Sequence, residues 1–332
     1  MKNALCRIAL FFIAAPTAAF AGPPLQLHFP IDCKAGQACW IVNYVDTDPG
    51  PGIRDYTCGS RSYDGHDGVD IGLPDRVAME TGIRVLAAGN GTVVRIRDKM
   101  EDHEPDAKEL ADLLKDGHGC GNGVLLDHGQ GWQTLYCHMK KNSVTARPGR
   151  PVQIGDMLGL AGQSGAAEFP HLHLSVLHEG KIVDPFTGRN AGAGCDEGTK
   201  KSLWAADAAP PYEPVVLYAA GFHGGIPDFE AIKIDSSSPR AVDPHAKALT
   251  FWTAFYGVQA GDRIHMTITA PDGNPFAEHD IVQEKDKARQ FYYIGRPSKA
   301  GLKPGIYKGI ANLARTGKPP VSRSIERTVA VP

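Results

Sequence analysis

The sequence predicts a mostly β protein, with a small antiparallel β-sheet domain that carries a helical insertion and a C-terminal β-sandwich of immunoglobulin-like size. Two observations carry this prediction. Short β-rich runs alternate with glycine turns between residues 61 and 190, which is typical of antiparallel sheets. Strand-like runs recur over residues 215–332, and that length suits a two-sheet sandwich. The 332 residues are enough for both domains.

Residues 1–21 are typical of a secretory signal peptide. Basic residues precede a short apolar run, and small residues form an A-x-A cleavage signature that ends at Ala21. The run is interrupted by Pro16 and is shorter than the roughly 20 apolar residues that a membrane span needs. We therefore expect an exported protein, periplasmic or extracellular, that does not span the membrane.

Charge and cysteine content narrow the class of protein further. Without residues 1–21 the chain has 33 basic and 37 acidic residues, which does not suit a nucleic-acid binder. Six cysteines remain, an even number that favours disulfides in an exported chain, although one or two free thiols are an alternative. Spacing leaves about 15 pairings open. The six are Cys33, Cys39, Cys58, Cys120, Cys137 and Cys195.

Residues 22–60 read as a covering segment rich in Pro and Gly, with one strand candidate at residues 39–45. In the following domain, 61–190, one helix is expected within the insertion. Pro105 suits its first turn and Gly117 its end. An apolar stripe at helical spacing would pack on the sheet; it consists of Ala107, Leu110, Ala111 and Leu114. The domain's strand candidates are residues 82–88, 91–97, 123–127, 133–137, 151–154 and 171–177.

Residues 191–214 are predicted to be a linker because Gly, Ala and Pro are frequent there. In the C-terminal domain, residues 263–269 alternate so that His265 faces water. This domain shows no clustered metal ligands or nucleophiles, so docking on a partner and rigid packing both remain open as its role. Its strand candidates are residues 215–218, 231–234, 248–256, 262–269, 290–294, 306–313 and 322–331.

The histidines of the β-sheet domain suggest a metal site. His171 and His173 are two apart in a strand and would share a face, while the leucines beside them enter the core. His66 and Asp70 form H-x-x-x-D, and they meet at one ion only if the chain bends, for which Gly68 is suited. Two imidazoles and a carboxylate leave a fourth zinc position open, as hydrolytic zinc sites do.

Residues 63–186 resemble the lysostaphin/LytM-type zinc metallopeptidases, which cleave peptide bonds of bacterial cell walls on a small antiparallel β scaffold. The resemblance implies one Zn²⁺ per chain, bound by His66, Asp70 and His173, with His138 and His171 as the catalytic pair. Leu174 and the residues at 164–169 depart from the family pattern and affect the expected substrate choice more than the zinc chemistry. The matching stretches are residues 66–70, 85–93, 121–129, 136–139, 155–156, 159–165, 170–174 and 183–185.

The expected function is therefore that of an exported zinc endopeptidase acting on the stem peptides and cross-links of peptidoglycan. One alternative is a non-catalytic wall-binding or amidase-activator protein, although all five site positions are retained here. Another is a secreted zinc protease that acts on proteins. Residues 22–60 carry Asp46, Asp48 and Asp55, and they are expected to be a structural flap or, alternatively, an inhibitory segment that reaches the metal. The sequence leaves the oligomeric state open.

Overall fold

The computed structural model describes residues 25–195, 201–317 and 320–332. The predicted signal peptide lies outside the described residues, as does the part of the predicted linker at 196–200. The described ranges contain eighteen strands and three short helices, which confirms the mostly β class. Within these ranges we find no helix that is long and apolar enough to cross a membrane.

Most strands of the first half of the chain form one nine-stranded antiparallel sheet. Its elements, in chain order, are β1 (Trp40–Asn43), β2 (Val69–Gly72), α1 (Arg76–Glu80), β3 (Arg84–Leu86), β4 (Gly91–Arg97), α2 (Ala107–Lys115), β5 (Asn122–Gly129), β6 (Trp132–Met139), β7 (Pro151–Val152), β8 (Met157–Leu160), β9 (His171–His178), β10 (Lys181–Asp184) and β11 (Arg189–Asn190). The sheet order is β1-β2-β9-β6-β5-β4-β7, with β10 and β11 attached at β9, while β3 and β8 pair separately.

Side-chain alternation divides this sheet into a core face and a site face. Leu172 and Leu174 of β9 are fully buried in the core, as predicted. Their neighbours His171 and His173 project to the opposite side, because successive side chains of a strand point to opposite faces. The register pairs Asp70 of β2 with His173 of β9, which brings the two sequence motifs side by side.

The N-terminal segment is part of the sheet and does not merely cover it. Its strand β1 pairs antiparallel with β2 at the sheet edge. All six cysteines of the exported chain are paired, so the alternative of free thiols is wrong. The disulfides are Cys33–Cys39, Cys58–Cys195 and Cys120–Cys137.

The predicted packing of the insertion helix is wrong. The helix begins at Ala107, because the side chain of Asp106 accepts hydrogen bonds from the amides of Lys108 and Glu109. None of its residues is buried, and Leu114 is 61% exposed. The helix is an exposed excursion between β4 and β5, and its apolar stripe does not enter the core. The predicted end at Gly117 is confirmed by its left-handed backbone, with φ of 67°.

The C-terminal part forms two antiparallel sheets around a second apolar core. Its elements are β12 (Val216–His223), α3 (Phe229–Ile234), β13 (Ala248–Val258), β14 (Arg263–Thr269), β15 (Pro275–Val282), β16 (Lys287–Pro297), β17 (Gly305–Arg315) and β18 (Val321–Val331). The sheets have the orders β12-β13-β16 and β15-β14-β17-β18, which agrees with the predicted sandwich.

Two strand predictions in this part are wrong. The candidate at residues 231–234 is the end of helix α3, which is capped by the side chain of Asp228. The edge strand β15 was not predicted, because Glu278, His279 and Asp280 in its middle are all exposed and hide the alternation.

A third apolar cluster joins the two domains. It places Phe169, from the loop before β9, against Tyr256 of the sandwich at a ring distance of 5.8 Å. The guanidinium of Arg289 lies 5.1 Å over the Phe169 ring. The buried Arg61 also bridges the domains, because it donates to the carbonyls of Val42 and Tyr256. The sandwich thus contacts the segments that flank the site.

Candidate active site

The three predicted metal ligands meet at one buried point. The Nε2 of His66 lies 3.2 Å from Asp70 Oδ1 and 3.3 Å from His173 Nδ1. Asp70 Oδ1 and His173 Nδ1 are 2.8 Å apart. The chain bends at Gly68, as predicted, and a Cβ there would collide with the ring of His173. Local backbone and strand register together therefore assemble the group.

This arrangement fits a zinc ion. Zinc bonds of about 2.0–2.1 Å place neighbouring tetrahedral ligand atoms about 3.3 Å apart, close to the three observed separations. The three residues form a group whose ligand atoms lie close enough to share one metal ion. Two imidazoles and one carboxylate are typical of hydrolytic zinc sites, which leave a further position open.

The N-terminal segment supports two of these ligands through hydrogen bonds. The side-chain amide of Asn43 donates to Asp70 Oδ2 at 2.8 Å. His66 donates from Nδ1 to the carbonyl of Tyr44 at 2.7 Å, which fixes the tautomer that leaves Nε2 free. Such outer contacts orient the ligands of metal sites. Sequence reasoning missed Asn43, because strand pairing between β1 and β2 brings it to the site.

The third ligand is held within the sheet domain. Nε2 of His173 contacts Ser175 Oγ at 2.9 Å and Asp67 Oδ1 at 3.2 Å. Burial lowers the pKa of His173, but hydrogen bonds to Asp67 and Asp70 outweigh burial and raise this pKa to about 9. Burial also acts to raise the pKa of Asp70, yet the surrounding imidazoles hold it well below its usual range. The cluster thus stabilises positive charge at its centre.

His138 and His171, the predicted catalytic pair, lie beside the metal group with ring centroids 4.5 Å apart. His138 donates from Nδ1 to the carbonyl of Ser164 at 2.8 Å, and His171 donates from Nδ1 to that of Phe169 at 2.7 Å. Burial is the main cause that lowers the pKa of both rings. Each ring is therefore favoured as the neutral tautomer with a free Nε2.

The backbone at His138 is unusual. Its φ is 59°, in the left-handed region that non-glycine residues seldom adopt. The amide of His138 donates to the carbonyl of Cys120 at 2.8 Å, and Cys120 is joined to Cys137, the residue before His138. The adjacency of Cys137 and His138 was the available sequence signal for this support.

The three aspartates of the N-terminal segment have other partners. Asp46 accepts hydrogen bonds from the amides of Arg54 and Gly65. Asp48 pairs with Arg54 at 3.3 Å. Asp55 is fully buried and accepts from nearby backbone amides such as that of Gly59. None of the three belongs to the metal group found among the described residues, so they favour the structural alternative for residues 22–60.

Comparison with known proteins locates the similarity in the sheet domain. The profile of Peptidase family M23 matches residues 64–185, which include all five predicted site residues. An uncharacterized metalloprotease of Haemophilus influenzae is 30% identical over 127 residues, 38% of this chain and 22% of that protein. Peptidoglycan DD-endopeptidase ShyA of Vibrio cholerae is 29% identical over 119 residues, 36% of this chain and 22% of that protein.

Among solved structures, a zinc containing peptidase from Vibrio cholerae aligns with a TM-score of 0.32 and 23% identity. The alignment covers 48% of this chain and 39% of that one. This chain spans 22% of the length of the two curated relatives described above, and the aligned part is of domain size.

Proposed function

Residues 64–185 belong to Peptidase family M23, and on that premise we propose that the protein is an exported zinc endopeptidase that hydrolyses the peptide cross-links of bacterial peptidoglycan. The observation that carries the proposal is the convergence of five residues. Three buried ligand atoms lie 2.8–3.3 Å apart, and two neutral imidazoles stand beside them. A structural zinc site would not need the second pair.

His66, Asp70 and His173 would hold one zinc ion. When bound, zinc polarises a peptide carbonyl and allows hydrolysis by water near neutral pH. The chain's own contribution is to keep the three donors in place before the ion arrives. Asn43 and Ser175 serve this purpose, since each contacts an outer atom of a ligand.

His138 and His171 would move the protons. Their Nδ1 atoms are committed to backbone carbonyls, so each Nε2 is free to accept a proton or to donate one after it has been charged. Hydrolysis of an amide needs a base for the attacking water and an acid for the leaving amine. Two adjacent imidazoles can divide these tasks, and the side that faces a developing oxyanion can also stabilise it.

The wall assignment rests on named relatives, because ShyA is a peptidoglycan DD-endopeptidase. Three disulfides suit a location outside the cytoplasm, and we propose the periplasm, with the extracellular medium second. For the C-terminal sandwich we favour rigid packing, since it holds Phe169 next to His171. A partner that docks on the sandwich remains the second candidate.

The test compares purified cross-linked muropeptides with a glycine-rich protein as substrates of the zinc-saturated full-length protein. We expect new amino groups from the muropeptides and little cleavage of the protein. Cleavage of the protein alone would favour the secreted protease. If neither substrate is cut while zinc is bound, the non-catalytic alternative replaces the proposal.

A further inference from the structure

The sheet face that bears His173 continues across three strands to a pair of arginines. Residues opposite each other on antiparallel strands share a face. Ser175 of β9 lies opposite Leu135 of β6, and Leu135 lies opposite Leu125 of β5. Leu125 in turn lies opposite Arg95 of β4. The row therefore runs without interruption from the metal centre to Arg95.

A cavity of about 200 Å³ occupies the far end of this row. Its floor is formed by the two partly exposed leucines, Leu125 and Leu135, and by the stems of Arg95 and Arg97. Its wall is the end of the insertion, where a disulfide fixes Cys120 to Cys137 next to His138. The insertion thus encloses both the cavity and one side of the catalytic pair.

The cavity has uncompensated positive charge. Arg95 and Arg97 are both exposed. Arg97 donates to the carbonyl of Gly121 at 3.3 Å, which orients its guanidinium toward the insertion. In the described part of the chain neither arginine forms a salt bridge with a carboxylate. Paired guanidinium groups match carboxylates well, since each offers several donors in a planar array.

The distance between the two ends suits a peptide arm. Three strand spacings of about 4.8 Å place Arg95 about 14 Å from the row of His173. An extended peptide covers about 3.3–3.6 Å per residue, so this span corresponds to about four residues. A peptide lying across the strands with its scissile bond at the metal centre would reach the arginines with a side branch or terminus.

We propose that Arg95 and Arg97 form a subsite for a carboxylate carried by one arm of the peptide substrate, about four residues from the bond that is cut. This inference rests on the proposed function, because it takes the cleaved peptide to lie on the site face. The leucines between the two ends would contact the apolar parts of the arm. The arginines set the preference for an acidic arm and take no part in proton transfer.

The experiment uses a cross-linked muropeptide with free carboxylates and the same muropeptide with these converted to carboxamides. We expect the zinc-loaded full-length protein to show a KM about tenfold lower for the free acid, because two partly screened charge-assisted contacts are made. The R95A/R97A double variant should lose this difference and keep kcat. Added salt should also reduce the difference in wild type. The R263A variant, which removes an exposed arginine of the sandwich, is the matched control.

The outcomes separate the subsite from the function. Hydrolysis of both muropeptides with equal KM by wild type, or an unchanged preference in the double variant, overturns the subsite and leaves the peptidase. For the case without hydrolysis, affinity for the two muropeptides is measured by calorimetry. A preference for the free acid that depends on Arg95 and Arg97 then supports the subsite while the proposed function fails. Equal affinity overturns the subsite.

Discussion

The metal half of the site, His66, Asp70 and His173, and its proton-transfer half, His138 and His171, are supported by different parts of the chain. The N-terminal segment supports the metal half through the side chain of Asn43 and a backbone carbonyl. Two backbone carbonyls of the loop before β9 hold the proton-transfer half. The two halves should therefore be separable by mutation, one through zinc binding and the other through turnover.

The halves also differ in the contacts beyond these first supports. His171 stacks on Phe169 at 4.7 Å, and Phe169 in turn packs against Tyr256 and Arg289 of the sandwich. His138 depends on the disulfide at Cys137. An accessory domain and a crosslink thus stabilise the residues that must move protons with precise geometry.

The largest effect is expected from removal of a metal ligand. H66A should lose both zinc and detectable hydrolysis, because two remaining ligands bind the ion far more weakly. Zinc content by atomic absorption and release of amino groups check this result. H265A is the control, since His265 lies on the sandwich and pairs with Asp280. Full zinc occupancy in H66A would show that the metal group is assigned wrongly.

Removal of the proton-transfer histidine should lower kcat and leave the metal in place. H138A is expected to lose about 10²–10⁴-fold in kcat, the usual contribution of general acid-base catalysis. Its zinc content should equal that of wild type, because His138 is not among the three ligands. Loss of zinc together with activity would argue against two separable halves, and wild-type activity would remove His138 from the mechanism.

An intermediate effect is expected at Asn43. N43A should weaken zinc affinity by about 10–100-fold, as loss of an outer hydrogen bond to a ligand does, while kcat at saturating zinc changes little. Chelator competition and the visible spectrum of the cobalt-substituted protein report on the site directly. T47V is the matched control, since Thr47 is buried in the same segment but bonds to backbone carbonyls there. Equal zinc affinity of N43A and wild type would contradict this role.

The smallest effect is expected at the domain interface. F169L keeps apolar bulk but removes the ring that contacts His171 and Arg289, and such ring and cation contacts are worth roughly 0.5–2 kcal/mol. We expect kcat to fall about threefold to tenfold with zinc affinity unchanged. F291L is the control, because Phe291 packs in the same interface on Phe229. An equal fall in both variants would indicate general loosening of the interface.

Much of the site could be predicted because its residues lie in short motifs. H-x-x-x-D, Tyr-x-His and H-x-H each depend on local spacing, and the structure brings all five residues together. Asn43 could not be found this way, since it reaches Asp70 through strand pairing between segments 27 residues apart. The same limit applies to Arg95, whose place on the site face depends on the register of four strands.

The errors in the fold have local causes. An apolar stripe at helical spacing predicted a packed helix, but Leu114 is exposed, because the stripe does not report whether a partner surface is available. The β-branched residues of 231–234 suggested a strand, yet the cap at Asp228 begins a helix there. The disulfide pairing required three-dimensional distances that spacing does not supply.

The central claim is that a zinc-dependent peptidase acts on peptidoglycan, and one measurement tests it most directly. Purified full-length protein is stripped of metal, divided, and assayed on cross-linked muropeptides with and without one equivalent of zinc. We predict release of new amino groups only in the zinc-restored sample, and none from H138A carrying the same zinc. No release from the zinc-saturated wild type, or equal release from H138A, would contradict the account.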